Sequence, residues 1–291
     1  MEKINTDWWR KLILSVEVLG VFPLFTPPIN NVIIFGMETE KYNVVQANNF
    51  IRNTKWTLSK DGMKIFKLLV ALIDTKNPPK DNTVYFTKAQ LISVLSEDGT
   101  IENKNHSYYK SILERLTRTS VVLQDDDKAF IVVSLIHKIF WNKDTDIISA
   151  RFDEDIMKYL IVASKFLEYP LDNVRGFKSK YGIVLYEYLL SYNRQYGENI
   201  IVISITDLRR LTNTEKQYKR YVDLEEYVIS AGIDDLNNAG VEILARYEKI
   251  KTGKKVSHIR FIVRKRTSAS ERAYYPIVND NQLSLFDTEI E

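Results

Sequence analysis

The chain has 291 residues, of which 45% are hydrophobic and 27% charged, so it can bury one large core or two smaller ones. It contains no cysteine, which excludes disulfide bonds and thiolate metal sites and is compatible with a reducing cytoplasm. The net charge is only +3, but residues 251–272 are rich in lysine and arginine, and the charged residues from 280 to 291 are all acidic. This asymmetry is typical of a polyanion-binding surface beside a protein-binding tail.

Residues 1–41 are interpreted as a weakly ordered N-terminal extension. The run 12–25 is apolar, but Glu17 interrupts it, no small-residue cleavage site follows, and it is too short to span a bilayer. Because globular sequence begins at about residue 42, we hypothesise that translation starts at Met37, which mass spectrometry of the natively expressed protein would test. The alternative is an N-terminal helix that packs on the following domain.

Residues 42–155 are predicted to form a first domain. It begins with a buried helix that carries four apolar residues at helical spacing: Met63, Phe66, Val70 and Ile73. A strand at residues 84–86 follows. Thr87 and Gln90 then form a capping box that starts a short helix carrying Leu91 and Val94.

A second amphipathic helix is predicted at residues 105–119 of this domain. Its inward residues are Tyr109, Ile112, Leu113 and Leu116, and its outward basic residues are Lys110, Arg115 and Arg118. Strands at residues 121–124, 130–136 and 147–152 complete the domain. Residues 153–167 are interpreted as a connecting helix and residues 168–175 as a loop, so the boundary to the next domain is placed at residue 156.

Residues 156–266 repeat this plan. A helix begins at Ser179, a strand covers residues 200–203, and Ser204 with Asp207 starts a short helix. Its Leu208 and Leu211 have the same offsets from Ser204 as Leu91 and Val94 have from Thr87. A longer helix follows, with Tyr221, Leu224, Val228 and Ala231 on one face. Residues 241–250 and 256–263 form a hairpin whose turn, residues 251–255, is basic and contains Gly253. The order is that of a winged helix, and the sequence predicts an α+β fold of two tandem winged helices with short antiparallel hairpins.

Four segments carry a resemblance to a known family: residues 177–181 (FKSKY), 185–190 (LYEYLL), 218–221 (YKRY) and 247–261. In these the chain resembles the replication initiator (Rep) proteins of iteron-controlled theta plasmids. The resemblance extends over about residues 42–263 and implies a bacterial cytoplasmic protein that binds repeated origin sites as a monomer and represses its own gene as a dimer. It also implies plasmid copy control, origin opening and recruitment of the host initiator and helicase. The chain departs from the family at Glu226 and Tyr227, where basic residues are usual, so we expect DNA contacts from the amino-terminal end of that helix.

Winged helices place one helix in the major groove of DNA and grip phosphates with the wing. Two such helices on one chain can read successive grooves about 34 Å apart. Candidate groove contacts are His106, Ser107 and Lys110 in the first domain and Lys216, Lys219 and Arg220 in the second. Candidate phosphate contacts are Lys251, Lys254, Lys255, Arg264, Lys265 and Arg266. For any single one of these residues, the alternative is a solvated surface charge.

The tail, residues 267–291, contains a short motif at residues 282–286 (QLSLF). It is similar to the peptide with which bacterial proteins dock on the replicative sliding clamp. The candidate clamp-binding residues are Gln282, Leu283, Leu285 and Phe286, because the apolar side chains can enter a pocket while the glutamine hydrogen-bonds at its edge. The alternative is that the apolar residues fold back onto the second domain.

Enzymatic functions find little support. The three histidines, His106, His137 and His258, are far apart in the sequence and form no metal-binding motif, and no phosphate-binding loop exists because Gly253 lacks the upstream glycine. The acidic run 125–127 is interpreted as a hairpin turn, and no cofactor is expected. The alternative function is a winged-helix repressor or copy-control protein without initiator activity.

Overall fold

The structure, a computed structural model, describes residues 42–96, 105–125, 128, 130–161, 164–192 and 198–266. By its contacts the chain divides into residues 1–38 and residues 39–291, and all described residues belong to the latter part. The hypotheses about Met37 and the N-terminal extension therefore concern residues outside the described part. None of the helices in the described ranges combines the length and apolar character needed to cross a membrane.

The described residues of the first half form ten elements. In chain order they are β1 (Asn43–Ala47), α1 (Asn48–Asn53), α2 (Lys60–Ala71), β2 (Thr83–Thr87), α3 (Lys88–Leu95), α4 (His106–Arg118), β3 (Ser120–Asp125), β4 (Phe130–Ser134), β5 (Ile136–Asn142) and β6 (Ile147–Phe152). Strand β2 pairs with β6, which pairs with β5, and β3 pairs separately with β4. The prediction of one strand at residues 130–136 is wrong, because the chain changes sheets after Ser134, and most of β5 was not predicted. Exposed His137 and Lys138 interrupt the alternation that would have indicated it.

The second half begins with α5 (Glu154–Leu160), β7 (Phe166–Pro170) and α6 (Asp172–Arg175). The predicted connecting helix is therefore wrong at residues 161 and 164–167, and the predicted loop at 168–175 is replaced by the end of β7 and by α6. Strand β7 pairs antiparallel with β1, from Asn43 opposite Pro170 to Ala47 opposite Phe166. This pairing spans more than 100 residues of chain, so no local pattern could reveal it.

The remaining elements form the second winged helix. They are α7 (Lys180–Leu190), β8 (Asn199–Ser204), α8 (Ile205–Thr212), α9 (Tyr221–Leu224), a π-helical segment (Glu225–Ser230), α10 (Ala231–Asn238), β9 (Ile243–Thr252) and β10 (Lys255–Lys265). The sheet order β8-β10-β9 matches the order β2-β6-β5 of the first half. The two tandem winged helices with small antiparallel sheets are thus confirmed.

The helix starts follow the predicted capping residues. Thr87 accepts a hydrogen bond from the backbone N–H of Gln90, whose side chain accepts from the Thr87 N–H at 2.8 Å. Ser204 accepts from the Asp207 N–H at 3.0 Å, but its own hydroxyl donates to the Asp207 carboxylate. Both caps place the following short helix so that its two predicted apolar residues are buried.

Helices α2 and α7 occupy equivalent places in the two units, 120 positions apart in the sequence. Ser59 and Ser179 are their N-caps, and each accepts a hydrogen bond from the backbone N–H of a glycine, Gly62 or Gly182. Both helices are almost wholly buried after their first turn, because they are apolar on nearly every face. The helices pack against each other at the junction of the two units.

A buried polar cluster joins α2 to α7. Lys67 and Glu187, which occupy equivalent positions in the two helices, form an ion pair with Nζ 2.8 Å from Oε1, and both side chains are fully buried. Gln46 on β1 donates to the same carboxylate oxygen at 2.8 Å and accepts from Lys67 at 2.9 Å, and Tyr169 on β7 donates to it at 2.6 Å. Burial lowers the pKa of Lys67 and raises the pKa of Tyr169. The cluster therefore fixes the junction through three donors that converge on one carboxylate oxygen, while Oε2 of Glu187 is buried without a hydrogen-bond partner among the described residues.

The long helix of the second unit differs from its predicted form. Leu224 and Val228 are buried as expected, but Ala231 is exposed. The π-helical turn before Ala231 contains more residues per turn than an α-helix, so the buried face moves to Ile229 and Gly232. A side chain at Gly232 would meet Leu185 at 2.7 Å, which shows how closely α10 approaches α7.

Candidate DNA-binding surfaces

The first predicted groove-binding helix is α4. Its N-cap, Asn105, accepts a hydrogen bond from the Tyr108 N–H at 3.0 Å. The four residues predicted to face inward are all buried: Tyr109, Ile112, Leu113 and Leu116. Ser107 and Lys110 are exposed near the start of the helix, where the Ser107 hydroxyl donates to Asn105 and Lys110 lies 3.7 Å from Glu114. Both residues are therefore accessible to a ligand.

His106 has a different environment from its two neighbours. Its ring stacks on Trp141 of β5, with centroids 4.2 Å apart, and its Nε2 is buried without a hydrogen-bond partner among the described residues. The ring thus fixes the start of α4 against the sheet, because stacking restricts its rotation. His106 is therefore less exposed than Ser107 or Lys110.

In the second unit, the predicted contacts lie in the segment 213–220 before α9. Lys216 and Lys219 are exposed, and neither forms an ion pair with a described carboxylate. Arg209 of α8 holds the segment through backbone carbonyl oxygens of Thr214 at 3.2 Å, Gln217 at 2.9 Å and Tyr218 at 2.7 Å. Sequence reasoning missed Arg209, although an arginine in the last turn of a helix before an irregular segment is a signal for such a role.

The acidic residues that follow are largely neutralised. Arg220, also predicted as a contact, donates from Nε to Asp223 at 2.9 Å, and this bond lowers the pKa of the Asp223 carboxyl. Glu225 pairs with Lys249 of β9 at 2.8 Å, which directs it toward the sheet. Glu226 remains exposed. Positive charge is therefore concentrated before the helix, as predicted, and Arg220 is partly occupied by its own neighbour.

The wing of the second unit is the β9–β10 hairpin. Its turn consists of Gly253, with a φ of +62°, and Lys254, because Thr252 pairs with Lys255. Lys251, Lys254 and Lys255 are all exposed. The wing thus presents three exposed lysines, one in the two-residue turn and one on each of the strands that flank it.

The other three predicted phosphate contacts, Arg264, Lys265 and Arg266, are not near the wing. They lie at and beyond the far end of the 11-residue β10, about 33 Å from the turn. The guanidinium of Arg266 donates to the carbonyl oxygens of Asn237 and Val241, both at 2.8 Å, so it caps the C-terminal end of α10. The structure therefore separates this basic group from the wing and assigns Arg266 a structural bond.

Two further predictions concern other regions. The clamp-like residues Gln282, Leu283, Leu285 and Phe286 lie outside the described residues. In the described part of the chain, no three histidine, aspartate or glutamate side chains cluster closely enough to hold a metal ion.

These surfaces define a chain with two winged-helix units, each of which presents cations at the start of its long helix. Comparison with known proteins agrees with this class. Residues 43–190 match the family model described as "Initiator Replication protein, WH1", and residues 204–263 match "Initiator Rep protein, WH2". The chain therefore belongs to the Rep initiator family of tandem winged-helix DNA-binding proteins, which is not an enzyme family.

Two known proteins are similar to this chain over most of its length. The chain is 25% identical over 254 residues to a "Replication initiation protein" of Escherichia coli, which covers 85% of this chain and 73% of the relative. A solved structure, "Crystal structure of Pi initiator protein in complex with iteron DNA", matches with a TM-score of 0.61 at 18% identity, over 78% of this chain and 98% of that one. At this identity the second likeness establishes the fold alone. The domain limits at residues 42, 156 and 266 remain a prediction.

Proposed function

We propose that this protein is a plasmid replication initiator that binds repeated sites in origin DNA, opens the origin and recruits host replication proteins in the bacterial cytoplasm. The single observation that carries this proposal is the pair of winged helices in a chain of the Rep initiator family, each with exposed cations at the start of its long helix. Such cations suit the phosphates and base edges of a major groove. The solved relative bound to iteron DNA supports the same ligand.

The binding site in this proposal is bipartite. Ser107 and Lys110 approach one major groove, and Lys216 and Lys219 approach the next, about 34 Å away. The wing lysines Lys254 and Lys255 hold the backbone near the second groove. The segment held by Arg209 gives the second unit a rigid contact surface that precedes its helix.

Dimer formation is a further part of the proposal. The β3–β4 hairpin exposes apolar side chains, with Phe130 68% exposed, Val132 42% and Ile131 39%. Phe130 and Val132 alternate with Ile131 along β4, so they share one face of the hairpin, and exposed apolar residues on one face favour association. We infer that a second copy of the chain covers this face, and that the dimer represses the initiator gene while monomers bind the origin repeats, which would also set plasmid copy number.

A trans-complementation experiment tests the initiator function. The gene is supplied on a compatible vector, and a plasmid carrying only the adjacent origin repeats is introduced. Replication of that plasmid is expected, and it should be lost with a Lys216→Gln, Lys219→Gln variant that remains folded. Repression of the gene's promoter without any replication would instead identify a repressor or copy-control protein.

Recruitment through the tail is tested separately. A tail peptide covering residues 267–291 is expected to retain the host sliding clamp in a pull-down, because Leu285 and Phe286 can enter a hydrophobic pocket. The matched control replaces both residues with alanine. Equal retention by both peptides, or none by the wild type, would remove the clamp from the proposal.

A further inference from the structure

A cavity of about 590 Å³ lies between the N-terminal ends of α2 and α7, beside α4. Four cationic side chains line it: Lys60, Arg115, Arg118 and Lys180. The hydroxyl-bearing residues Ser59 and Thr119 are also part of its wall. Cations therefore reach this cavity from both winged-helix units.

Two of these cations have no carboxylate partner among the described residues. Arg115 is exposed without an ion pair, and Lys180 is half-buried with its Nζ 5.0 Å from the Tyr181 ring centroid. Burial lowers the pKa of Lys180, which means that its charge loses hydration and gains no compensating anion. Lys60 and Arg118 each lie 4.0 Å from a carboxylate, of Asp61 and Glu114 respectively.

Two of these cations occupy equivalent positions in the duplicated fold. Lys60 and Lys180 are equivalent residues in the first turns of α2 and α7, 120 positions apart. Both line the cavity, whereas the backbone N–H groups at the start of α7 already donate to the Asp235 carboxylate. An anion in the cavity would thus interact favourably with the four cationic side chains.

The cavity also lies next to both DNA-contacting regions. Helix α4 crosses the start of α2, where the Tyr108 hydroxyl donates to the Asp61 carboxylate, and its Arg115 and Arg118 line the cavity. In the second unit, Tyr181 at the start of α7 contacts the ring of Tyr218, in the segment that leads into α9. The cavity is therefore positioned between the two surfaces that are proposed to enter successive major grooves.

We propose that this cavity binds a phosphate group of the DNA backbone in the stretch between the two grooves. The inference rests on the proposed DNA-binding function and adds a contact at the junction of the two units. It assigns Lys180 and Arg115 as the principal phosphate ligands, since these two cations have no carboxylate partner in the described structure. The contact would couple the two units, because one phosphate is held by residues of both.

The first test measures binding of the full-length protein to a duplex of the origin repeat as a function of salt. The Lys180→Gln, Arg115→Gln variant should bind about tenfold or more weakly and lower the salt slope by about 1 to 2. The control is Lys76→Gln, Lys80→Gln, which removes two exposed lysines beyond the other end of α2 and should leave the slope unchanged. Equal melting temperatures establish that both variants fold. An unchanged slope in the cavity variant, with wild-type binding to the repeat intact, overturns the inference and leaves the proposed function standing.

The second test locates the phosphate. Neutral methylphosphonate linkages are placed one at a time along the repeat, and affinities are measured for the wild type and the cavity variant. A linkage between the two grooves should weaken wild-type binding and have little further effect on the variant. If every linkage lowers the affinity of the variant by the same factor as that of the wild type, the assignment is overturned. A small phosphorylated ligand would be favoured instead by two results together. Tripolyphosphate would bind only when Lys180 and Arg115 are present, and a methylphosphonate linkage between the two grooves would leave the affinity for DNA unchanged.

Discussion

The two winged helices share their order of elements but distribute charge differently. In the first unit, α4 is a regular helix that presents Lys110 on its own exposed face. In the second unit, the helix is interrupted by the π-helical turn and carries acidic residues, while the cations stand before it and on the wing. We therefore propose two DNA contacts of unequal kind: a helix face in the first unit, and a preceding segment and wing in the second.

The junction between the units depends on a second difference at equivalent positions. Lys67 in α2 corresponds to Glu187 in α7, so the duplication has placed opposite charges where the two helices meet. A buried pair of this kind contributes less to net stability than its geometry suggests, because both ions lose their hydration. Its removal on one side is nevertheless severe, since it leaves the other charge buried alone.

The largest expected effect follows from breaking this pair. Lys67→Met should lower the free energy of unfolding by about 3–5 kcal/mol, measured by urea denaturation, because Glu187 is then buried without its cation. The control is Lys64→Met on the same helix. Lys64 is also buried but donates to the carbonyl oxygen of Arg175, so its loss should cost only about 1–2 kcal/mol.

The double variant Lys67→Met, Glu187→Leu sharpens this prediction. It should be more stable than Lys67→Met alone, because no unpaired charge remains in the junction. The single variant Glu187→Leu completes the comparison. If the double variant loses as much unfolding free energy as the two single variants together, the two ions do not interact in the folded protein.

Replacing the equivalent glycines of α2 and α7, Gly62 and Gly182, should change the free energy of unfolding by an intermediate amount. A Cβ at Gly182 would lie 2.8 Å from Phe177 and would also collide with Asp235, which accepts hydrogen bonds from two backbone N–H groups. Gly182→Ala should therefore cost about 1–3 kcal/mol of unfolding free energy. A Cβ at Gly62 would meet the Ser59 hydroxyl at 3.3 Å, so Gly62→Ala should stay within about 1 kcal/mol of the wild type, helped by the better helix propensity of alanine. Equal losses at both sites would contradict the difference in packing.

Replacing lysines in the two wings should have the smallest effect, which is on the affinity for DNA and its salt dependence. Replacing both Lys254 and Lys255 with alanine should weaken binding to all DNA sequences and lower the salt slope by up to about 2. The first wing, between β5 and β6, has Lys143 next to Asp144 and near Asp146. Because these carboxylates oppose its charge, Lys143→Ala should change the slope by less than about 1. If the first wing had the larger effect, the distribution of charge described above would be incorrect.

Local features of the fold could be predicted from the sequence. The caps at Thr87 and Ser204 and the inward face of α4 were found because their causes lie within a few residues. Strand β7 was missed because its partner β1 lies more than 100 residues away. The exposure of Ala231 was missed because a π-helical turn shifts the buried face and leaves no trace in residue spacing.

The candidate site likewise has features that could be predicted from the sequence and features that could not. The exposure of Lys216, Lys219 and the wing lysines agrees with the sequence analysis. The separation of Arg266 from the wing depends on strand length and on its bonds to the end of α10, and the cavity around Lys180 depends on how the two units meet. Contacts between units cannot be read from the periodicity of either one.

Both units are proposed to contact DNA, in successive major grooves. A hydroxyl-radical and guanine-methylation interference footprint of the full-length protein on one origin repeat tests this proposal most directly. We expect two protected patches about one helical turn apart, with Lys110→Gln weakening one patch and Lys216→Gln, Lys219→Gln weakening the other. A single patch, or the same patch weakened by both variants, would contradict a bipartite site.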